Sequence, residues 1–447
     1  MSQHEINADE HIFLKFGYKP VLSRKLSLLY LIAFGLNYLQ PMGPVVIFGL
    51  LLTKSSGSVI LPYLLAFVGM FFTLCSYIRL SKEFPLAGSL YSYIYHIMGN
   101  KVAFIAGWLL LLDYLLIPAI ALAGAAHYIQ ASSPKLHYGT ILATVTLLMA
   151  IINIRGIYIT SRVSLIILLG QLAVVITFIV MCINWAYHTP LKLIISQPFE
   201  FSGAKNLLQA ASLAIFGYLG FDAISTLSEE SNKPFVNIPK AMFFCLFIGC
   251  ILACLVAYFG TLVMPDWRLM VNRPEWINTA LFNISGIVGG NLFASLFTYA
   301  FILAMLATNI VGTTAASRLL FSMGRDGVLP SQFFSKIHKK WKTPYCNIIF
   351  LALICLTIGS LSSIEQIVGL INYGTIASFI LLNISAIIFC LKNKKDNSFL
   401  VILPIVAAII MFVIFVNMQR INLLFGTLWL ILGIAIMFFL NLNLKNN

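Results

Sequence analysis

A chain of 447 residues that is 60% hydrophobic and 9% charged departs far from a soluble domain, in which about a quarter of the residues are charged. Apolar stretches near the roughly 20 residues needed to span a bilayer recur along its length, which excludes a large soluble domain. The formal charge of +14 sits in short loops between those stretches, so it points to orientation in a lipid bilayer rather than to a nucleic-acid partner.

Residues 1–25 are polar and include Glu5, Asp9 and Glu10. That is unlike the start of a signal peptide, and they read as a short cytoplasmic tail. Twelve spans follow, at 26–52, 58–80, 102–129, 138–154, 157–185, 207–228, 241–264, 290–314, 345–361, 367–391, 400–416 and 421–442. Spans 1 and 6 are interrupted. In span 1 the run Leu39-Gln40-Pro41-Met42-Gly43-Pro44 breaks the apolar helix. In span 6, Gly217 and Gly220 lie three apart and Asp222 follows at membrane depth. A glycine inside a helix costs about 1 kcal/mol relative to alanine, and a carboxylate at mid-bilayer costs roughly 2.5–3.5 kcal/mol even on lenient scales. Both in one turn point to unwound backbone lining a polar cavity.

Breaks at spans 1 and 6 lie five helices apart. Five is odd, so the second unit enters the membrane in the opposite sense. The expected fold is therefore all-α, an integral membrane protein of twelve helices. A unit at 26–185 is repeated inverted at 207–391, and two additional helices occupy 400–442. With the N-terminus inside, 21 of the 28 basic residues fall inside and 7 outside, which sets both termini in the cytoplasm. Lys394 then lies inside and Lys192 outside. Residues 86–98 and 317–337 read as amphipathic helices on the inner surface. Asp266, Arg268 and Glu275 form an outer loop, either a lid or simply solvated.

Few of the 14 acidic residues lie in the membrane, and an intramembrane carboxylate is a functional candidate by default. Asp222 has a competing structural role, because an acid in the first turn of a restarted half-helix complements its dipole. Asp113, beside Tyr114, is mid-span, and no Lys or Arg lies mid-span to pair with it, Arg79 and Arg162 standing near the ends of their spans. Glu229 and Glu230 end span 6 and are expected in an inner-gate ion pair with Arg24 or Lys25, or as solvated helix-end acids, ahead of a proton relay. Phe216 and Phe221 flank the second break, where aromatic faces suit a cation, although most of the chain's aromatics serve packing. Tyr373 and Asn372 interrupt span 10 and are weaker candidates. Six of the eight cysteines lie within apolar runs, with no metal-ligand spacing, and read as small buried hydrophobes. Neither a catalytic motif nor a metal or cofactor signature occurs, so an enzyme is not expected.

These motifs carry a resemblance. FPLAGSLYSY at 84–93, FGYLGFDAISTLSEE at 216–230 with NIPKA at 237–241, and SRLLFSMGRDGVLP at 317–330 with KTPY at 342–345 resemble the amino acid–polyamine–organocation superfamily over nearly the whole chain. LNYLQPMGP at 36–44 and GWLLLLDYLLIP at 107–118 look most like its bacterial putrescine importers. The resemblance implies a five-plus-five inverted repeat of the LeuT type, alternating access, and a substrate site between helices 1, 3, 6 and 8. The chain departs from the amino-acid branch in its first break, where one glycine and two prolines replace a glycine-rich turn. It also has Gln171 where many proton-coupled relatives carry a lysine.

The expected function is a secondary transporter of a bacterial-type inner membrane, importing a small cationic amine such as putrescine. The expected site comprises Gln40, Pro41, Met42, Gly43, Asp113, Tyr114, Phe216, Gly217, Gly220, Phe221, Asp222 and Tyr373. Protons are the expected coupling ion, from the acids near both ends of the second half of span 6. The rival within transport is a zwitterionic amino acid substrate. From other classes, a non-transporting sensor fits the short tails poorly, and a channel fits the paired breaks poorly.

Overall fold

Proline and a left-handed backbone stop the first helix after three turns. In the computed structural model, which describes residues 16–18, 21–188, 197–201, 203–264, 268, 274–358, 364–393 and 399–439, α1 (Leu28–Leu39) ends at Gln40, whose φ of 60° leaves the helical region. Pro41 offers no N–H to continue the ladder. Gly43 N–H closes a tight turn onto the Gln40 carbonyl at 2.6 Å, and α2 (Pro44–Lys54) restarts with proline at its first position, where a missing donor costs nothing. The two halves are bent by 47°.

The chain continues through α3 (Ile60–Glu83), α4 (Leu90–Met98), α5 (Asn100–Ser132), α6 (Tyr138–Ile154) and α7 (Ile157–His188). The second break follows α8 (Ala204–Ala214). Here the backbone tightens into 3-10 turns at Ile215–Tyr218 and Asp222–Glu230, separated by Gly220 at φ +126°. Then come α9 (Pro234–Val263), α10 (Ala280–Arg325), α11 (Tyr345–Ile358), α12 (Ile364–Lys392), α13 (Phe399–Val416) and α14 (Arg420–Phe439). The described residues form helices with one isolated bridge, Leu26 to Ser231.

Among the described residues, eight helices are long and apolar enough to cross a membrane, and the bent pair α1–α2 makes a ninth; α6, α11 and α13 are shorter apolar helices. The protein is thus an all-helical, multi-span membrane fold. Burial separates its inner from its outer helices. In α5, 72% of the most apolar window is buried, against 28% in α7 and 17% in α14. α5 packs against α4, α10, α12 and α14 and is the central post. Exposed side chains such as Ile166 and Leu169 on α7 and Phe438 on α14 have only acyl chains as a suitable neighbour.

Two expectations change. No surface helix spans 317–337: α10 continues unbroken from its kink at Gly290 through Arg325, residues Ser317 to Gly324 are all buried, and only Ser331–Phe334 makes a further helical turn. Nor does 86–98 lie on the surface. Residues 84–89 form an extended strap with left-handed backbone at Gly88 and Ser89, and Leu90 to Ile94 are buried. Both segments carry hydroxyl or charged residues that hydropathy reads as wet, yet hydrogen bonds inside the bundle hold several of them, among them Ser92, Ser317 and Arg318. The first fifteen residues of the tail, Lys19 and Pro20, the loop residue Asp266, Lys192, Lys394 and the last three residues of span 12 lie outside the described residues.

Candidate functional site

The two helix breaks pack on each other. A β-carbon on Gly220 would stand 2.7 Å from the Leu39 nitrogen and 2.8 Å from Tyr38 Cβ, at a φ that L side chains rarely adopt. Only glycine permits this approach of the second break to the end of α1. Gly220 N–H then donates to Asp222 Oδ1 at 3.2 Å, so the carboxylate fastens the turn that leads into its own 3-10 segment. Its other oxygen, Oδ2, accepts the Tyr114 hydroxyl at 2.9 Å.

Asp113 is one residue from Tyr114 on α5 and faces α1. Tyr38 donates to its Oδ1 at 2.7 Å and Thr375 of α12 to its Oδ2 at 3.1 Å. The Tyr38 and Tyr114 rings meet edge-on, 5.9 Å between centroids at 60°. Two short polar chains result, Thr375–Asp113–Tyr38 and Tyr114–Asp222–Gly220, and the contact of the Tyr38 and Tyr114 rings sets them side by side. Their two carboxylates are wholly buried. Among the described residues neither has a cationic partner; each is held by hydroxyls, and Asp222 by a backbone N–H as well. Buried ionised acids without a counter-charge are expensive, which makes this the most conspicuous polar centre in the bundle.

The remaining candidates divide. Gln40, Pro41, Met42 and Gly43 are buried in the first turn, and Gln40 Nε2 has no hydrogen-bond partner there. Gly217 lies where a β-carbon would press on the Tyr63 ring, and Phe216 is half-buried beside it. Phe221 packs against Tyr77 and Phe379, at 5.6 and 6.0 Å between centroids. Tyr373 is not in the cluster. It points toward α13 and α14, onto Phe415 at 5.1 Å and Thr427 at 3.4 Å. Thr375 holds Asp113 instead: two residues on is about 200° around a helix, so the two cannot share a face. Asn372 donates to the Ser212 carbonyl at 2.7 Å. Gln171 bridges α7 to α1 through Asn37 Oδ1 at 2.9 Å, a neutral tie.

Seven residues beyond Asp222 the acids are treated differently. Arg318 grips Glu230 with two bonds, Nε to Oε2 at 2.9 Å and Nη2 to Oε1 at 3.0 Å, both side chains 1% exposed. Arg325 Nη1 holds Glu229 Oε1 at 2.8 Å, and the Ala87 N–H of the strap donates to the same oxygen at 3.0 Å. The ion pairs expected with Arg24 or Lys25 therefore belong to α10. Lys25 and Leu26 meet Glu230 through the main chain, their N–H groups donating to its carbonyl at 3.0 Å. This end of the bundle is sealed. Toward the other end of α5, past Pro118, a cavity of about 490 Å³ opens between Val45, Ala119, Gly124, His127, Phe301 and Met305.

The amino acid permease family model matches residues 26–442. This chain belongs to that family. The permease is 29% identical to the low-affinity putrescine importer of Escherichia coli over 92% of both chains. It is 27% identical to the methylthioribose transporter and to the branched-chain amino acid permease of Bacillus subtilis, each over 93% of both chains. The permease is accordingly a membrane transporter of a small solute within the amino acid–polyamine–organocation superfamily, not an enzyme. Its polar centre offers no bond-breaking chemistry; what it offers is a desolvated pair of acids where two helices come apart.

Proposed function

We propose that the permease imports a small cationic amine, a diamine such as putrescine, by alternating access across a bacterial inner membrane. The observation that carries this reading is the pair Asp113 and Asp222, buried together with hydroxyl partners and, among the described residues, no cation beside them. A dication brings two ammonium groups to two carboxylates and leaves no buried charge unpaired. Met42 and Gly43 at the first break, Phe216, Gly217 and Gly220 at the second, and Tyr114 between them line the path of such a solute. The first break also lacks one N–H at Pro44, which a substrate carboxylate would seek.

The twelve spans are the nine longer candidates and the three shorter apolar helices, arranged as a five-plus-five inverted repeat at 26–185 and 207–391 with 400–442 added. Both termini lie in the cytoplasm on the asymmetry of basic residues. In that orientation the sealed end with Glu229, Arg325, Glu230 and Arg318 is the inner gate, and the 490 Å³ cavity is the outer vestibule. Protons couple transport through the central acids, because Glu229 and Glu230 are already committed to arginines.

A second reading, a zwitterionic amino acid, draws on the mostly apolar walls of the vestibule and on the branched-chain relative. Competition separates the two in proteoliposomes. Putrescine or cadaverine should block uptake far better than alanine, leucine or serine, and Asp222→Asn should weaken the diamine most. If neutral amino acids compete and diamines do not, the second reading holds. Uptake that survives a collapsed pH gradient and tracks sodium removes the proton.

A further inference from the structure

The sequence offers only Arg24 and Lys25 of the N-terminal tail to the gate, yet the tail's described part from Phe16 onward runs across the sealed end of the bundle. Phe16 packs on Phe84 of the strap at 5.8 Å and on His96 of α4 at 5.3 Å. Leu22 is buried with Ala87 and Phe321. Leu26 pairs with the segment that follows Glu230 through the Asn232 N–H at 3.0 Å. Between these anchors stands Tyr18. Its hydroxyl donates to Asp326 Oδ1 at 2.9 Å, and its ring lies under the Arg325 guanidinium at 3.9 Å.

Arg325 is thus held from several sides. Glu229 takes Nη1 at 2.8 Å, Asp326 approaches Nε at 3.7 Å, Phe321 flanks the guanidinium at 5.4 Å, and the Tyr18 ring covers its face. A cation over an aromatic face gains most when it is desolvated, and Arg325 is only 14% exposed. Burial, followed by the Asp326 carboxylate, pushes the Tyr18 phenol above its usual range, so the hydroxyl stays a donor at physiological pH.

We infer that Tyr18 is a positioning residue of the gate: it acts through Arg325, holding that cation on Glu229 and so keeping the second half of the broken helix tied to α10. The inference rests on the reading of this end as the inner gate. Opening to that side requires Glu229 to leave Arg325, and with it the tail must lift from Asp326. Without the Tyr18 ring, Arg325 is wetter and freer to swing, and the closed population falls.

The experiment measures apparent affinity from each face, using inside-out and right-side-out vesicles and whichever substrate the competition assay selects. Tyr18→Ala should lower affinity at the outer face about tenfold and raise it at the inner face, with maximal rate little changed. Tyr18→Phe keeps the ring over Arg325 and loses only the bond to Asp326, so its shift should be smaller and in the same direction. A purely structural role would move thermal stability and both affinities together, and that result overturns the inference. Unchanged affinities in both variants overturn it as well. If Tyr18→Ala fails to fold, Tyr18→Leu, which fills the space without an aromatic face, decides: a shift of about threefold or more supports the role and no shift sinks it. Opposed shifts of reversed sign would keep Tyr18 on the gate and overturn the orientation instead.

Discussion

The segment from Asp222 to Glu230 carries acids at both ends, about 14–16 Å apart along a 3-10 rise, and the bundle treats the two ends in opposite ways. At the break, Asp222 and its neighbour Asp113 meet tyrosines, a threonine and a backbone N–H. At the far end, Glu229 and Glu230 meet arginines. A buried acid with its own arginine is electrically complete, and removing one partner strands the other. A buried acid held by hydroxyls is mechanically fixed and electrically open. The contrast separates a fastening from a receptor, and four experiments press on it.

The largest effect is expected at the second break itself. Gly220→Leu puts a branched side chain at φ +126° and within 3 Å of the end of α1, so strain of about 1–3 kcal/mol adds to a direct clash of the two breaks. Uptake should fall below detection while the protein still inserts. Normal uptake would mean that the two breaks do not need to touch.

Next comes the exchange of partners. Arg318→Gln leaves Glu230 charged and buried, and thermal unfolding should report a loss of about 3–5 kcal/mol. Asp113→Asn strands no cation among the described residues, and its amide oxygen still accepts from Tyr38. Stability should fall by no more than about 1 kcal/mol, while diamine affinity falls roughly tenfold or more, the order expected for one lost charge-assisted contact. If the two variants lose stability equally, the distinction between fastening and receptor fails.

How much of this could be read beforehand follows the same division. The breaks were legible, because Pro41 and Pro44 close together in one apolar run, and Gly217 and Gly220 just ahead of an intramembrane acid in the other, each weaken helix at several neighbouring positions. The all-helical, multi-span character was legible in the recurrence of apolar stretches. The partners were not. Arg318 and Arg325 end an apolar run, and hydropathy places such residues in solvent; only the continuation of α10 into the bundle, with Glu229 and Glu230 waiting there, makes burial tolerable. Tyr38 and Thr375 sit inside apolar segments with no periodic signal, although Tyr38 precedes the first break by two residues. Tyr18 belonged to a polar tail with no local pattern at all.

A smaller effect tests how tightly the receptor is held. Thr375 donates one hydrogen bond to Asp113, and Thr375→Val removes it without changing shape. The loss should be about 1 kcal/mol, or roughly fivefold in apparent affinity, with Thr375→Ser restoring most of it. An unchanged affinity in the valine variant would show that Tyr38 alone orients Asp113.

The smallest effect is expected at Tyr373, the residue that the sequence places in the site and the structure places outside it. Its hydroxyl makes one long contact, 3.4 Å to Thr427, and its ring packs on Phe415. Tyr373→Phe keeps the packing and removes a marginal bond, so stability should move by less than about 0.5 kcal/mol and affinity not at all. A rise in KM approaching that of Asp113→Asn would have another meaning. Tyr373 is two positions from Thr375 on α12, so turning that helix toward the centre would exchange one for the other. A large effect would therefore show that α12 rotates during transport and that the hydroxyl serving Asp113 differs between the two faces of the cycle.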